Sequence, residues 1–289
     1  MHRLKRFFKR KAPNRSKTGD LAVNLVLIFI GVFMALPLVY AICSAFKPLD
    51  EIFLFPPKFF VQNPTLENFQ DLFILMSKSW VPFSRYIFNT VFITVVGTAG
   101  NVMICSLAAY ALAKHKFPGS KIIFELIVIS LMFSPHVTSI PNYLIMSKLG
   151  WVDTYKAIIV PAFATSLGLF LMKQFMEQIH DSMLEAARID GASEWYIFCH
   201  IAMPMVKPAW LTLIIFSVQN LWNIRSSNFI YEEQLKTLPF ALQQILQGGI
   251  ARAGIGAAVS LLVMIVPIVL FVITQSNIIE TMGSSGIKE

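Results

Sequence analysis

Long runs of apolar residues without a charged side chain dominate the pattern along the chain. Residues 21–46, 86–113 and 253–279 hold 26, 28 and 27 consecutive uncharged positions. A helix needs about 20 residues to cross the hydrocarbon core of a bilayer. Because backbone groups in lipid must pair within their own segment, each run predicts a transmembrane helix.

Three further apolar stretches lie between these runs, at residues 122–146, 157–172 and 208–224. The last two are short, so they need their polar flanks to complete a crossing. The whole pattern therefore predicts an all-α membrane protein, with six transmembrane helices in one domain of residues 21–279.

Charge is concentrated in residues 1–20, which hold eight Lys or Arg and one Asp, a net charge of +7. The other 269 residues carry 16 basic and 15 acidic side chains, or +1. A basic tail before a first span predicts a cytoplasmic N-terminus, and contact with anionic membrane lipid is a second role open to such a tail. The total net charge of +8 could suggest a nucleic-acid partner. Because nearly all of this charge lies in the tail, we expect no such partner. Six crossings return residues 280–289, the C-terminal tail, to the cytoplasm.

Composition and motifs exclude several classes of function. Hydrophobic residues make up 56% of the chain and charged residues only 14%, against about a quarter charged in a soluble domain. The sequence contains no G-x-x-x-x-G-K-[ST] segment, which is the phosphate cradle of many ATPases. It also contains no Cys-x-x-Cys or other metal-binding spacing. We therefore expect no catalytic residue, no metal and no cofactor in this chain.

A polar stretch at residues 181–204 interrupts the apolar pattern and falls on the predicted cytoplasmic side. Gly191 follows a short helical pattern where a residue with positive φ is expected. Ser193 is a suitable N-cap for a second helix. The stretch therefore predicts a short helical hairpin at the membrane surface. An interfacial amphipathic connector is the plainer alternative.

Two local pairings are expected in the first helix of this hairpin. Ser182 and Glu185 have the spacing of a capping box, with the serine as N-cap. Glu185 also lies three residues before Arg188, which is the spacing of an ion pair on one helix face.

The same stretch resembles the EAA-x3-G-x9-I-x-L-P motif, which marks the membrane subunits of binding-protein-dependent ABC importers. The matching positions are Glu185, Ala186, Ala187, Gly191, Ile201 and Pro204. Met203 stands where the motif has leucine, and this exchange nearly conserves volume.

Residues in the predicted external loops are similar to those of carbohydrate-importer permeases, in particular to the maltose-importer G-type permease. The similar segments are Phe46–Pro48, Glu51–Phe53, Pro56–Pro57, Asn63–Phe69 and Thr237–Pro239. The segment Trp222–Arg225 departs from the W-N-x-[FY] pattern of that family.

The resemblance implies a type I ABC importer permease in the bacterial cytoplasmic (inner) membrane. It implies that the hairpin is a coupling helix seated in a cleft of an ATPase subunit. The residues assigned to this coupling are Glu185, Ala186, Ala187, Asp190, Gly191 and Trp195. Two ATPase subunits would bind the ATP and Mg, a second permease subunit would complete a heterodimer, and an extracellular solute-binding protein would deliver a carbohydrate substrate.

Uncharged polar residues inside the predicted spans suit a neutral sugar, whose hydroxyl groups need both donors and acceptors. Hydrogen bonds that hold the helix bundle together are the alternative for each residue. This set comprises Asn89, Asn101, Tyr110, Ser134, Asn142, Gln219, Asn220, Asn223, Ser260 and Gln275. Gln219, Asn220 and Asn223 are the candidates for the substrate path, because they lie near the outer end of the fifth span.

Glycines suggest two further features. Gly97 and Gly100 predict close helix packing in the second span. Gly248 and Gly249 in the last external loop are candidates for contact with the binding protein, and an ordinary turn is the alternative.

Two other classes of function compete with an importer subunit. A secondary transporter or channel driven by an ion gradient would be expected to carry charge within its spans. Glu125, near the cytoplasmic entry of the third predicted span, is the one Asp, Glu, Lys or Arg within the six stretches. An intramembrane enzyme would need a nucleophile–base or metal constellation, and no such spacing stands out.

Overall fold

The computed structural model describes residues 17–78, 80–224, 229–247, 249 and 252–285. Regular secondary structure in these ranges is helical throughout. The first part of the chain forms α1 (Lys17–Ala45), α2 (Leu49–Ile52), α3 (Glu67–Ser77), α4 (Phe83–Lys114), α5 (Ser120–Ser130) and α6 (Pro135–Lys148). The middle forms α7 (Lys156–Ala162), α8 (Ser166–Glu177), α9 (Asp181–Ile189), α10 (Glu194–Ile197), a π-helical turn (Phe198–Ala202) and α11 (Met203–Met205). The last part forms α12 (Lys207–Trp222), a 3₁₀ turn (Glu233–Leu235), α13 (Leu238–Leu246) and α14 (Ala253–Ser285).

Four helical segments within the described ranges are long and apolar enough to cross a membrane. They are Gly19–Ala45 in α1, Phe83–Lys114 as α4, Lys156–Glu177 across α7 and α8, and Ala253–Gln275 in α14. These segments coincide with the first, second, fourth and sixth predicted spans. The N-terminal tail falls outside the described residues up to position 16, and the C-terminal tail does so from position 286.

The third predicted span, residues 122–146, is not one continuous helix. It consists of α5, with 11 residues, and α6, with 14 residues. Proline disfavours helical backbone at the residue before it, and Ser134 before Pro135 is extended, with φ −67° and ψ 140°. The Ser134 hydroxyl accepts a hydrogen bond from the N–H of His136 at 3.4 Å, which caps α6. Proline therefore breaks a stretch that reads as unbroken by hydropathy alone.

The fifth predicted span, residues 208–224, corresponds to α12. This helix has 16 residues, fewer than the roughly 20 that a crossing requires. The preceding segment Glu194–Met205 meets α12 at an angle of 80°. Counting this bent pair as one crossing gives five spans in the part of the chain that is described. The total of six therefore stays a prediction.

α4 is the central helix of the bundle and packs against α7, α8, α12 and α13. A Cβ atom at Gly97 would lie 2.6 Å from a methyl group of Leu221. At Gly100 it would lie 2.1 Å from the ring of Phe163. Only glycine leaves room for these neighbours, so the predicted close packing at both positions is confirmed.

Buried apolar side chains cluster at each end of α4. Near its start, Tyr86 belongs to a cluster with Leu72 of α3 and Leu242 of α13. Near its end, Tyr110 belongs to a cluster that includes Met176 of α8. The second cluster continues into α9, α10 and α12, so it forms the base on which the polar stretch is built.

Candidate functional site

α9 and α10 meet at a left-handed turn centred on Gly191, whose φ of +82° costs glycine little. The Gly191 N–H donates to the carbonyl of Arg188, and the Ala192 N–H donates to the carbonyl of Ala187, each at 3.0 Å. These two bonds form a Schellman motif with glycine at its C′ position. The predicted positive φ is therefore confirmed. Residues 181–197 are called the α9–α10 hairpin below.

The two helices of the hairpin begin in different ways. Ser193 caps α10 as predicted, because its hydroxyl accepts a hydrogen bond from a backbone N–H in the first turn at 3.3 Å. α9 begins two residues earlier than the capping box requires, at Asp181, and His180 at its N-cap makes no side-chain cap bond. The predicted capping box of Ser182 and Glu185 is therefore wrong. The acidic residue in the first turn favours this helix end through the helix dipole instead.

An ion pair closes the hairpin across its turn. The Nε of Arg188 donates to Oε1 of Glu194 at 2.6 Å. The predicted pairing of Arg188 with Glu185 is therefore wrong, because the Gly191 turn brings the start of α10 back over the end of α9. The hydrogen bond from Arg188 lowers the pKa of the Glu194 carboxyl from its ordinary value, although partial burial opposes this shift.

The hairpin is attached to the end of α4 at two points. The Tyr110 hydroxyl donates to Oε2 of Glu194 at 3.1 Å, and Nε2 of His115 lies 3.8 Å from the same oxygen. The Lys114 ammonium donates to Oδ1 of Asp181 at 2.8 Å, and this bond lowers the pKa of the Asp181 carboxyl. Both helices of the hairpin are thus tied to one long helix of the bundle.

The underside of the hairpin is apolar and packed. Leu184 and Ile197 are 1% and 0% exposed, and Phe198 directly after α10 is also buried. The ring of Phe198 lies edge-on to that of Tyr110, with centroids 5.4 Å apart. Burial of a large apolar side chain stabilises by about 1.5–3 kcal/mol, so this face holds the hairpin on the bundle.

The opposite face of the hairpin is open. Five of the six residues predicted to couple to an ATPase are exposed, and Ala187 is half-buried. The exposed five are Glu185, Ala186, Asp190, Gly191 and Trp195. Ile189, which sequence reasoning did not select, is 86% exposed beside them.

This face can bind a protein but offers little for covalent chemistry. It combines the carboxylates of Glu185 and Asp190 with the large apolar side chains of Ile189 and Trp195. Exposed aromatic side chains with a charged surround are typical of binding surfaces. Within the described residues, no group of three or more His, Cys, Asp or Glu side chains is arranged to hold a metal ion.

The predicted substrate-path residues divide into two groups. Asn223 lines a cavity of about 380 Å³ bounded by α1, α12, α13 and α14, where Gln243 and Ser260 add polar groups. Gln219 and Asn220 are exposed and do not line this cavity. The Asn223 amide donates to the carbonyl of Gln219 at 2.8 Å, which fixes it at the end of α12.

Two other in-span amides hold the bundle together. Asn89 is fully buried and donates to the carbonyls of Gln234 and Lys236 at 2.8 and 2.9 Å. Asn101 is also fully buried and donates to the carbonyl of Ala162 at 2.6 Å. For these two residues, the alternative that they form hydrogen bonds within the helix bundle is confirmed.

Of the two candidate contacts for a binding protein, the structure describes Gly249. Gly248 lies outside the described residues. Gly249 is exposed with φ +88°, and its carbonyl accepts a hydrogen bond from the N–H of Arg252 at 3.0 Å. A turn is therefore present at this position, and contact with a binding protein stays a prediction.

Sequence reasoning missed the central role of Glu194. A local signal was available, because opposite charges stand three residues before and three residues after Gly191. The partners on α4 carried no such signal, since Tyr110 lies 84 residues from Glu194 and Lys114 lies 67 residues from Asp181.

Comparison with known proteins gives a family match over most of the chain. The family model described as "Binding-protein-dependent transport system inner membrane component" matches residues 101–281, which include the α9–α10 hairpin. Protein LplC of Bacillus subtilis (strain 168) is 34% identical over 209 residues, covering 71% of this chain and 67% of that protein. The arabinooligosaccharides transport system permease protein AraQ of Halalkalibacterium halodurans is 29% identical over 289 residues, covering 95% and 99%.

A solved structure shares the fold. It is a chain of a bacterial ABC transporter involved in the import of the acidic polysaccharide alginate. The TM-score is 0.76 at 20% sequence identity, and the match covers 92% of this chain and 99% of that chain. At this identity the likeness concerns the fold alone, and it supports the all-helical importer-permease fold expected from the sequence.

Proposed function

Because the chain belongs to the family of binding-protein-dependent transport system inner membrane components, we propose that it is one permease subunit of an ATP-driven importer of a sugar or oligosaccharide. The carbohydrate class is supported by the arabinooligosaccharide permease protein, which aligns over 95% of this chain. It is also supported by the external-loop segments that are similar to those of carbohydrate-importer permeases.

The α9–α10 hairpin is the proposed contact with the ATPase. The observation that carries this proposal is its two-sided build, with a buried underside fixed to α4 and an open face of carboxylates and large apolar groups. Such a face can enter a cleft on a soluble protein without unfolding. Its coupling residues are Glu185, Ala186, Ala187, Asp190, Gly191 and Trp195.

The hairpin would transmit movement through its attachments. If ATP draws two ATPase subunits together, a hairpin seated in one of them moves with it. The bonds of Glu194 to Tyr110 and of Asp181 to Lys114 would pass this movement to α4. Because α4 packs against α7, α8 and α12, its displacement would open one side of the bundle and close the other.

The proposed assembly places all ATP and Mg binding in the two ATPase subunits. A second permease subunit completes a heterodimer, and an extracellular binding protein delivers the substrate. The chain would cross the inner membrane six times, with both termini and the hairpin in the cytoplasm. α5 and α6 together would make the third crossing, and α12 would make the fifth.

The proposed substrate path runs past the outer end of α12. Asn223 is the best supported of its residues, because it lines a cavity with other hydrogen-bonding groups. Gln219 and Asn220 would face the path only when a partner subunit covers their exposed side. Gly248 and Gly249 are the proposed contacts with the binding protein.

Purification of the tagged chain from its native membranes in mild detergent tests this function. We expect mass spectrometry to identify a second permease of the same family and an ATPase. ATP hydrolysis by the assembly should rise when a sugar-loaded binding protein is added. Substrate uptake by this chain alone, driven by an ion gradient in vesicles, would contradict the proposal and favour a secondary transporter.

A matched pair of variants tests the hairpin itself. Glu185→Lys reverses one charge on its open face, so the ATPase should no longer co-purify. Glu67→Lys makes the same change at an exposed position in α3, on the predicted outer side, and should leave the assembly intact. Equal recovery of the ATPase with both variants would show that the hairpin is not the contact.

A further inference from the structure

A cavity of about 570 Å³ lies between the end of α4, the start of α5 and α8. Its basic lining residues are His115, Lys116, Lys121 and Lys173. Lys116 and Lys121 are exposed, and their ammonium groups have no hydrogen-bond or ion-pair partner within the described part of the chain. Both ammonium groups line one cavity and can donate to an anion, although the charge of Lys116 also helps to lower the pKa of the Asp181 carboxyl.

Two carboxylates also line the cavity and reduce its charge. Lys173 donates to Glu177 at 2.6 Å and lies 3.6 Å from the centroid of the Phe124 ring, so this ion pair is already formed. Glu125 lies one turn beyond Lys121 on α5 and offsets one of the two free lysines. An excess of one positive charge is left.

The cavity adjoins an exposed apolar face of α5. Ile122, Leu126 and Ile129 are 63%, 61% and 50% exposed. Their spacing of four and three residues places them on one side of the helix. Lys121 directly precedes this face, so its stem can lie along apolar surface while its ammonium reaches the headgroup region.

We propose that this cavity binds the phosphate of an anionic phospholipid, whose acyl chains lie along the apolar face of α5. The site follows the end of the α4 span directly, which is the level of the headgroups. Basic pockets between helices on the cytoplasmic side are suited to such lipids. A free phosphate could use the lysines but not the apolar face. The assignment of the site to the cytoplasmic leaflet rests on the orientation given in the proposed function. The binding chemistry does not depend on that orientation.

Lipid retention by the purified assembly tests this site. The complex is reconstituted in phosphatidylcholine mixed with phosphatidylglycerol, extracted, and examined by native mass spectrometry for bound phosphatidylglycerol. Lys116→Gln and Lys121→Gln should each lower retention about fivefold, the effect of roughly one lysine near an anionic surface. Glu125→Gln should raise it, because this change removes the opposing carboxylate. Opposite changes from one cavity cannot result from a general loss of folding.

Lys148→Gln and Lys156→Gln are the matched controls, since they remove the same charge at exposed positions on the predicted outer side. They should retain lipid as the parent does, and an equal loss with these controls would overturn the site. Unchanged retention with both cavity lysine variants would overturn it as well. The site would also be overturned if soluble glycerol phosphate displaced the bound lipid as efficiently as added phosphatidylglycerol does. Retention is measured without ATP or sugar, so its failure is distinguishable from failure of the proposed transport.

Discussion

Arg188 and Glu194 lie on the two sides of the Gly191 turn, with Nε and Oε1 only 2.6 Å apart. The pair holds the end of α9 against the start of α10. The same carboxylate accepts a hydrogen bond from Tyr110, so it also fixes the hairpin to the bundle. One carboxylate therefore determines both the internal shape of the hairpin and its position on α4.

We expect acid to loosen the hairpin only below the pH at which an ordinary carboxyl group is protonated. The bond from Arg188 lowers the pKa of Glu194 in the folded protein. The pair therefore stabilises the fold fully above the unfolded-state pKa, and its contribution is lost as pH falls through the folded-state pKa. At this partly exposed pair the contribution is on the order of 0.2–1 kcal/mol. Fluorescence of the exposed Trp195 should report the loosening.

Glu194→Gln supplies the control for this titration. The variant keeps the shape of the side chain but has no carboxylate to protonate, so its fluorescence should lack the acid transition. The hairpin should already be loosened near neutral pH. A transition at the same pH in parent and variant would show that another group is responsible.

The local features of the hairpin could be predicted because their causes lie within a few residues. Gly191 favours a left-handed turn after a helix, and Ser193 is a good N-cap. The partner of Arg188 could not be chosen in this way, since Glu185 and Glu194 both lie within reach in sequence. The turn decides between them, and contacts to α4 such as that of Tyr110 depend on the packing of the whole bundle.

The transmembrane spans likewise divide into those that the sequence predicts well and one that it does not. Hydropathy predicts α1, α4 and α14 well, because each is long and continuous. It fails to predict the break before Pro135, since the residues around that break are as apolar as those in the helices. The restriction that proline imposes on its preceding residue does not identify this break by itself, because Pro37 and Pro267 lie inside the continuous helices α1 and α14.

Gly191→Val should reduce uptake strongly while leaving the amount of chain in the membrane near normal. No heavy atom of a neighbour lies within 4 Å of a Cβ added at this glycine, so the cost is backbone strain at positive φ, on the order of 1–3 kcal/mol. That strain would change the angle between α9 and α10, and with it the seating of the hairpin. Uptake per assembled complex is the measurement, and Gly191→Ala should be milder.

Gly150→Val is the matched control for that strain. Gly150 also has a positive φ, +66°, and open space around it, but it lies in the loop between α6 and α7. The same backbone cost there should leave coupling intact. If Gly191→Val transports like the parent, the turn does not set the coupling geometry.

Reporter fusions should establish the proposed orientation. Fusions after Met76, Lys148 and Glu233 are expected to report outside, because these residues fall in the predicted external loops. Fusions after Lys116, Gly191 and Lys288 are expected to report inside. The pair at Lys116 and Lys148 is decisive for α5 and α6, since opposite signals require that these two helices cross the membrane together. An external signal at Gly191 would remove the hairpin from the ATP-containing compartment.

Gly100→Ala should destabilise the bundle, because its new Cβ would lie 2.1 Å from the ring of Phe163. Phe163 directly follows α7 and is half-buried, so relieving the contact requires its ring to rotate or α7 to move away from α4. Overpacking of this kind costs about 1–3 kcal/mol, which should appear as a lower unfolding temperature in detergent. Gly31→Ala in α1 is the control, since nothing lies within 4 Å of its added Cβ and alanine favours a helix over glycine. Equal unfolding temperatures for the two variants would show that α4 and α7 do not pack as closely as described.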